Sequence, residues 1–177
     1  MKLTIGKDDV NLSTSTLAAL FGKNPISISD WVRQGLLMAD LQEGTGRGKI
    51  KRYSYRQGLF AELVCHLKDH LLLHPSLVKI ILTQAEMQGV FKDAKQGLDY
   101  YSTLLLISTS RTAGDRPVQD FIPEFVQGDL KEAFEKATFY RESGLIIEDV
   151  LIVRLARIKA SFDNRLISFN KEPEGDE

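Results

Sequence analysis

The spacing of apolar positions along this chain changes character after Gly35 and again near Leu98. Leu17, Ala18, Leu20 and Phe21 form a short apolar run behind Ser13-Thr14-Ser15-Thr16 and ahead of Gly22. A hydroxyl able to accept from first-turn amides and a glycine able to close the last turn predict a short helix with Ser13 as N-cap. Asn24-Pro25 then opens a second helix, because proline at the first helical position gives up only an amide that has no partner anyway. Ile28, Trp31 and Val32 fall at i, i+3 and i+4 before Gly35, which puts one apolar face against the first helix. Two short helices joined across Gly22-Lys23-Asn24 make a helix-turn-helix.

Beyond Gly35, residues 36–41 and 50–53 read as short strands around the glycine-rich stretch 42–49. Two strands with a basic tip between them would form a wing. Ser54 caps a third predicted helix carrying Leu59, Phe60, Leu63, Val64, Leu67 and Leu71. Pro75 starts a fourth, with Leu77, Ile80, Ile81, Gln84 and Met87 as its periodic positions and Gly89 weakening its second half.

From Leu98 onward the pattern is mixed. Residues 100–108 read as a strand, with a buried helix as the alternative, and residues 112–117 as a turn. Asp129 caps a short amphipathic helix to about Phe139, and Leu145 begins a strand that leads into a helix. Leu151, Leu155, Ile158, Phe162, Leu166 and Phe169 make a stripe fit to bury against a core or a second subunit. The expected fold is α+β, mostly α. Residues 1–97 would form an N-terminal winged helix-turn-helix domain and 98–170 a small α+β dimerisation or effector domain. Residues 171–177 would be a disordered acidic tail, and no internal repeat is present.

Composition alters this picture in one respect. The 177 residues carry a net charge of −1, which on its face argues against nucleic acid. Residues 1–56, however, hold nine basic and five acidic residues, while 98–177 hold ten and fifteen. The average conceals a basic head and an acidic tail, and local field governs association more than total charge does. Residues 44–56 alone carry five positive charges and no acid. Their glycines let backbone approach phosphates, and their long basic side chains supply counterion-releasing contacts. No apolar run approaches the ~20 residues a bilayer requires, and the first residues lack a signal-peptide core. The expectation is a cytoplasmic, nucleoid-associated protein with no membrane partner.

With those residues in view, Leu12 to about Leu82 resembles the MerR family of bacterial transcription regulators. The matching residues are Leu17-Ala18-Ala19-Leu20-Phe21-Gly22, Ile28 through Leu37, Arg52-Tyr53-Ser54, and the helix bearing Leu59, Leu63 and Leu67. The resemblance implies a second helix in the major groove, with Ser27, Ser29, Asp30 and Arg33 facing DNA and Trp31 near its backbone. It implies wing contacts from Arg47, Lys49, Lys51 and Arg52, with Tyr53 anchoring the wing. Ser13, Thr14 and Arg56 complete the expected DNA-binding set. Ser29 stands where family members usually carry arginine, and this wing is longer and richer in glycine, which moves electrostatic weight onto it. The same winged fold occurs in phage excisionases and terminase small subunits, so an architectural DNA-binding role is one alternative. A winged-helix protein-interaction module is another. Gly89, Gly97 and the strand near Tyr101 interrupt the long dimerisation helix of the metal- and drug-sensing branch.

Other chemistry is thinly represented. A single cysteine, Cys65, beside Val64 on the third helix, reads as a small core residue. His66, His70 and His74 recur at i, i+4 and i+8, a spacing that can chelate zinc, but no fourth ligand accompanies them, and His74 is placed to cap the helix opening at Pro75. No phosphate-cradling glycine loop or nucleophile elbow appears, and Glu148-Asp149 reads as a solvated face. The expectations are therefore no enzyme, no cofactor and no metal. The expected partners are double-stranded DNA, a second copy in a homodimer, and a small-molecule or protein effector for the C-terminal domain.

Overall fold

The computed structural model describes residues 10–43, 50–94, 101–113, 116–128, 131–135 and 146–171. They form a mixed α+β fold with more residues in helices than in strands. No helix among them is long and apolar enough to cross a membrane. The chain divides into two compact units, one of residues 1–79 with 158–177 and one of residues 80–157. The sequence pattern suggests a division at 97/98; contacts instead divide the chain earlier, and most of the last helix belongs with the first unit.

The first unit begins with β1 (Leu12–Ser13), α1 (Thr14–Leu20) and α2 (Pro25–Arg33). Ser13 Oγ accepts from the Thr16 amide at 3.0 Å, and Asn24 Oδ1 accepts from the Ile26 amide at 2.9 Å, so both expected N-caps are in place. Gly22 and Gly35 close these helices at φ +58° and +72°, in the left-handed region that a side chain disfavours. Next come β2 (Leu41–Glu43), β3 (Ile50–Tyr53) and α3 (Tyr55–Cys65), the last capped by Ser54. The sheet runs antiparallel in the order β1-β3-β2, with Leu12 opposite Tyr53 and Leu41 opposite Arg52. A further helix, α4 (Pro75–Met87), opens at the expected proline, and the division between the units falls within it, after Lys79.

α3 is buried at every position from Gln57 to Cys65, the mark of a helix at the centre of its core. Against it packs the last helix, α5 (Leu155–Lys171). The Phe162 ring is fully buried, stacks on Phe21 at 6.2 Å between centroids and lies 5.5 Å from Tyr55. A Cβ at Gly58 would sit 2.0 Å from Phe162 Cζ, so only glycine admits the ring at this depth. Polar contacts flank it. Tyr55 donates its hydroxyl to Asp163 at 2.6 Å, while Glu62 accepts from Ser161 at 2.6 Å and from Arg165 Nε at 2.8 Å.

Three local expectations change. Residues 36–40 are not strand: Leu36 and Leu37 are buried, and the Leu36 amide returns to the Trp31 carbonyl at 2.8 Å to finish α2. The third helix does not continue regularly to Leu71, since His66–His70 widen into a π-helical turn. The strand β1 is an addition, because two residues carry no readable alternation.

The second unit is built on a three-stranded antiparallel sheet, β4 (Thr103–Ala113), β5 (Arg116–Val126) and β6 (Ile146–Arg154), in the order β5-β4-β6. β4 is buried from Thr103 to Thr109. Leu105 and Ile107 cluster with Val126 and Ala133, and Ile122 and Ile152 pack against them. The strand reading of residues 100–108 is correct in type and too short. Residues 112–117 are not a free turn, because Ala113 pairs with Arg116 and only residues 114 and 115 lie between the strands. No sequence pattern announces β5, because Pro117 and Pro123 interrupt it; proline survives in a strand at a sheet edge, where its missing amide costs no ladder bond. β6 passes directly into α5 as expected. Of the helix expected from Asp129, residues 131–135 are helical and the rest lies outside the described residues, as does the tail beyond Lys171.

Candidate nucleic-acid interface

The residues expected to meet DNA separate into three groups in the structure. On α2, Ser29 and Arg33 are exposed, and Ser27 and Asp30 are half-buried. Arg33 reaches back one turn to Asp30 at 2.9 Å, an exposed pair with Arg33 77% accessible, so its charge is held near the helix surface and remains open to solvent. On β3, Lys51 is exposed and Arg52 half-buried, and Arg56 in the first turn of α3 lies 5.2 Å from the Phe60 ring. Arg47 and Lys49 lie outside the described residues.

The second group is corrected by burial. Trp31 is 3% exposed and Tyr53 is 0% exposed, so both are core residues. Trp31 belongs to the apolar face of α2 that also carries Ile28. Tyr53 fills the core beneath the sheet with its hydroxyl 3.4 Å from Thr14 Oγ1, which matches an anchoring role and removes it from the contact set. The third group is Ser13 and Thr14. Ser13 is committed to the Thr16 amide and lies 2.7 Å from Thr16 Oγ1 and 2.9 Å from Ser15 Oγ, which makes it a cap.

Side chains that sequence reading passes over hold this arrangement. Asp40 accepts from the Ser54 amide at 2.9 Å and from the Ser54 hydroxyl, tying the residues before β2 to the start of α3. Gln57, 4% exposed, accepts from the Met38 amide at 3.0 Å. A buried amide side chain thus replaces the strand partner that Met38 lacks. No local pattern marks these residues, whose partners lie 14 and 19 positions away.

Lys23, Ser27, Asp30, Trp31, Gln34, Lys68 and Asp69 line a shallow cleft of about 150 Å³ beside α2. Lys23 pairs with Asp69 at 2.8 Å, and that hydrogen bond holds its ammonium above the usual lysine value against the opposing effect of burial. Two lysines 45 positions apart in sequence therefore meet on one face, outside the basic run at 44–56.

Cys65 ends α3, His66 and His70 lie in the π-helical turn that follows, and His74 precedes α4. Cys65 is 5% exposed, and burial, reinforced by Asp69 and Glu62, pushes its thiol up to about 12. It is a protonated core residue. The His66 and His70 rings lie 5.7 Å apart, and burial, then the neighbouring His70, lowers His66 below the ordinary histidine value. His74 Nδ1 lies 2.7 Å from Ser76 Oγ and accepts weakly from the Ser76 amide at 3.4 Å, the expected capping position for α4. Among the described residues, no three His, Cys, Asp or Glu side chains are placed to hold one metal ion. No protein-family model matches this chain, and no curated protein matches it either.

Proposed function

We propose that the chain is a double-stranded-DNA-binding transcription regulator of the MerR-like winged helix-turn-helix type. The observation that carries this reading is the antiparallel order β1-β3-β2, in which the residues entering α1 are laced to the basic strand. Ser13 pairs with Arg52 and Leu12 with Tyr53, so the helix pair and the basic hairpin share one framework. A strand, two helices across a glycine turn, then a hairpin returning beside the first strand is the order that a winged helix requires.

In this mechanism α2 enters the major groove and presents Ser29 and Arg33 to base edges, with the Asp30 carboxylate steering Arg33. Lys51 and Arg52, with Arg47 and Lys49 of the intervening segment, take flanking phosphates. Phosphate contacts set position and base contacts set sequence. A homodimer would engage two half-sites of a pseudo-palindrome about one helical turn apart. The second unit would carry the effector response, and the protein would act in the nucleoid.

Fluorescence anisotropy of the full chain on duplexes selected from a random pool tests the reading. Log affinity should fall with log salt at roughly −0.9 per phosphate contact. Lys51→Ala and Arg52→Ala should each reduce that slope by about 1 and weaken all sequences alike. Arg33→Ala should change sequence preference, at about 1–3 kcal/mol on the preferred site. Absence of duplex binding at low salt overturns the proposal.

A further inference from the structure

One side chain of α2 belongs neither to its core face nor to its polar surface. Ile28 and Trp31 are buried on one side of the helix. Positions 26, 29, 30 and 33 recur at i, i+3, i+4 and i+7 and line the opposite side. Ser29 and Arg33 are exposed there and Asp30 is half-buried. Ile26 heads that stripe and is 67% exposed. Among the described residues it is the one exposed large apolar side chain on α2. Its place is also fixed. Pro25 sets the first helical residue, and the Ile26 amide donates to Asn24 Oδ1 at 2.9 Å, so the cap holds the backbone. A β-branched side chain on a helix keeps one strongly preferred χ1 rotamer, so little freedom is lost when a ligand packs against it.

We propose that Ile26 reads a base: its side chain packs against the C5-methyl group of one thymine in each half-site. This assignment rests on the DNA-binding reading and adds a specificity to it. A recognition helix meets base edges with its N-terminal residues, and Ile26 is the second residue of α2. Every base pair lines the major groove with hydrogen-bond donors or acceptors, but only thymine adds an apolar group. An aliphatic side chain has no hydrogen bond to give, so the methyl is the feature it matches. Against any other base edge it would displace water and leave polar atoms without partners. Ser29 and Arg33, one and two turns further along, meet the polar edges, so apolar and polar recognition divide along one stripe.

The test uses anisotropy of the full chain on the duplex selected from a random pool. Thymines are replaced one at a time by deoxyuridine, which removes the methyl and nothing else. One position per half-site should weaken wild-type binding roughly fourfold, the worth of about one buried carbon. Ile26→Ala should bind the thymine duplex about as weakly as wild type binds the uracil duplex, and should lose nothing further when that methyl is removed. Its salt slope should equal that of wild type, because no phosphate contact is touched, and its circular dichroism should be unchanged. Duplex binding in which no thymine methyl matters, or a methyl dependence that Ile26→Ala retains, overturns the assignment of Ile26 and leaves the DNA-binding reading standing. Absence of duplex binding at low salt removes that reading, and this assignment with it.

Discussion

The two units hold themselves together by opposite means. In the first, chain ends meet: α3 is enclosed, Phe162 of α5 fills the space that Gly58 leaves, and side-chain hydrogen bonds join positions about a hundred residues apart. In the second, neighbours along the chain pair with one another, and a β4–β5 hairpin in register over its whole length carries an aliphatic cluster. The first unit thus depends on specific long-range packing, which is lost at a single residue. The second depends on a ladder whose bonds are many and individually replaceable. The contrast extends to charge. The basic residues of the proposed interface lie in the first unit, on elements whose orientation that packing sets.

Phe162→Ala puts the greatest strain on this contrast. Removing a fully buried ring between Phe21, Tyr55 and Gly58 should destabilise the first unit by about 3–5 kcal/mol. Hydrogen exchange read by segment should show α1, α3 and α5 opening early while β4 amides keep their protection. Equal loss in the sheet would show that the units unfold as one.

A smaller effect is expected from Arg165→Ala. It leaves the carboxylate of Glu62, a residue 6% exposed, hydrogen-bonded to Ser161 without its cation, and should cost about 2–3 kcal/mol in denaturant unfolding. Replacing Glu62 by Leu in the same variant should recover part of that loss, because the penalty is that of an unpaired buried charge. No recovery would mean that the stacking of Arg165 over Phe21, at 5.2 Å, carries the contribution instead.

The mildest test uses pH. Burial lowers His66 in the folded chain, so the unfolded state binds its proton first. The stability that neutral His66 allows is present above the ordinary value of 6.5 and declines as pH falls below it. His66→Gln should flatten that part of the stability profile, and an unchanged slope in the variant would assign the acid sensitivity elsewhere.

Much of the first unit is legible because its signals act over short distances. Ser13, Asn24 and Ser54 cap helices by reaching amides two or three residues ahead, and Gly22 and Gly35 end helices through their own backbone freedom. The core face of α2 is legible for the same reason, since Ile28 and Trp31 recur at helical spacing. That periodicity also marks Trp31 as buried, and the DNA role implied for it by resemblance yields to this local reading. That Tyr53 faces inward is not legible, because a strand of four residues offers too little alternation to show which side is buried.

Helix starts and stops, the apolar positions along each helix and the gathering of positive charge all follow from groups within a turn or two, so the amino-acid order alone was enough to establish them. Long-range packing had to establish that α5 returns to close the first unit, that β5 exists despite its prolines, that Asp40 and Gln57 hold the segment before β2, and that Lys23 and Lys68 line one cleft. The stripe on α5 was equally suited to a core or to a second subunit, and it is Gly58, about a hundred residues earlier, that admits Phe162 and settles the choice. A cap satisfies its amides inside one segment, whereas Tyr55 and Asp163 meet across 108 residues, and a contact of that span exists only once the whole chain has folded.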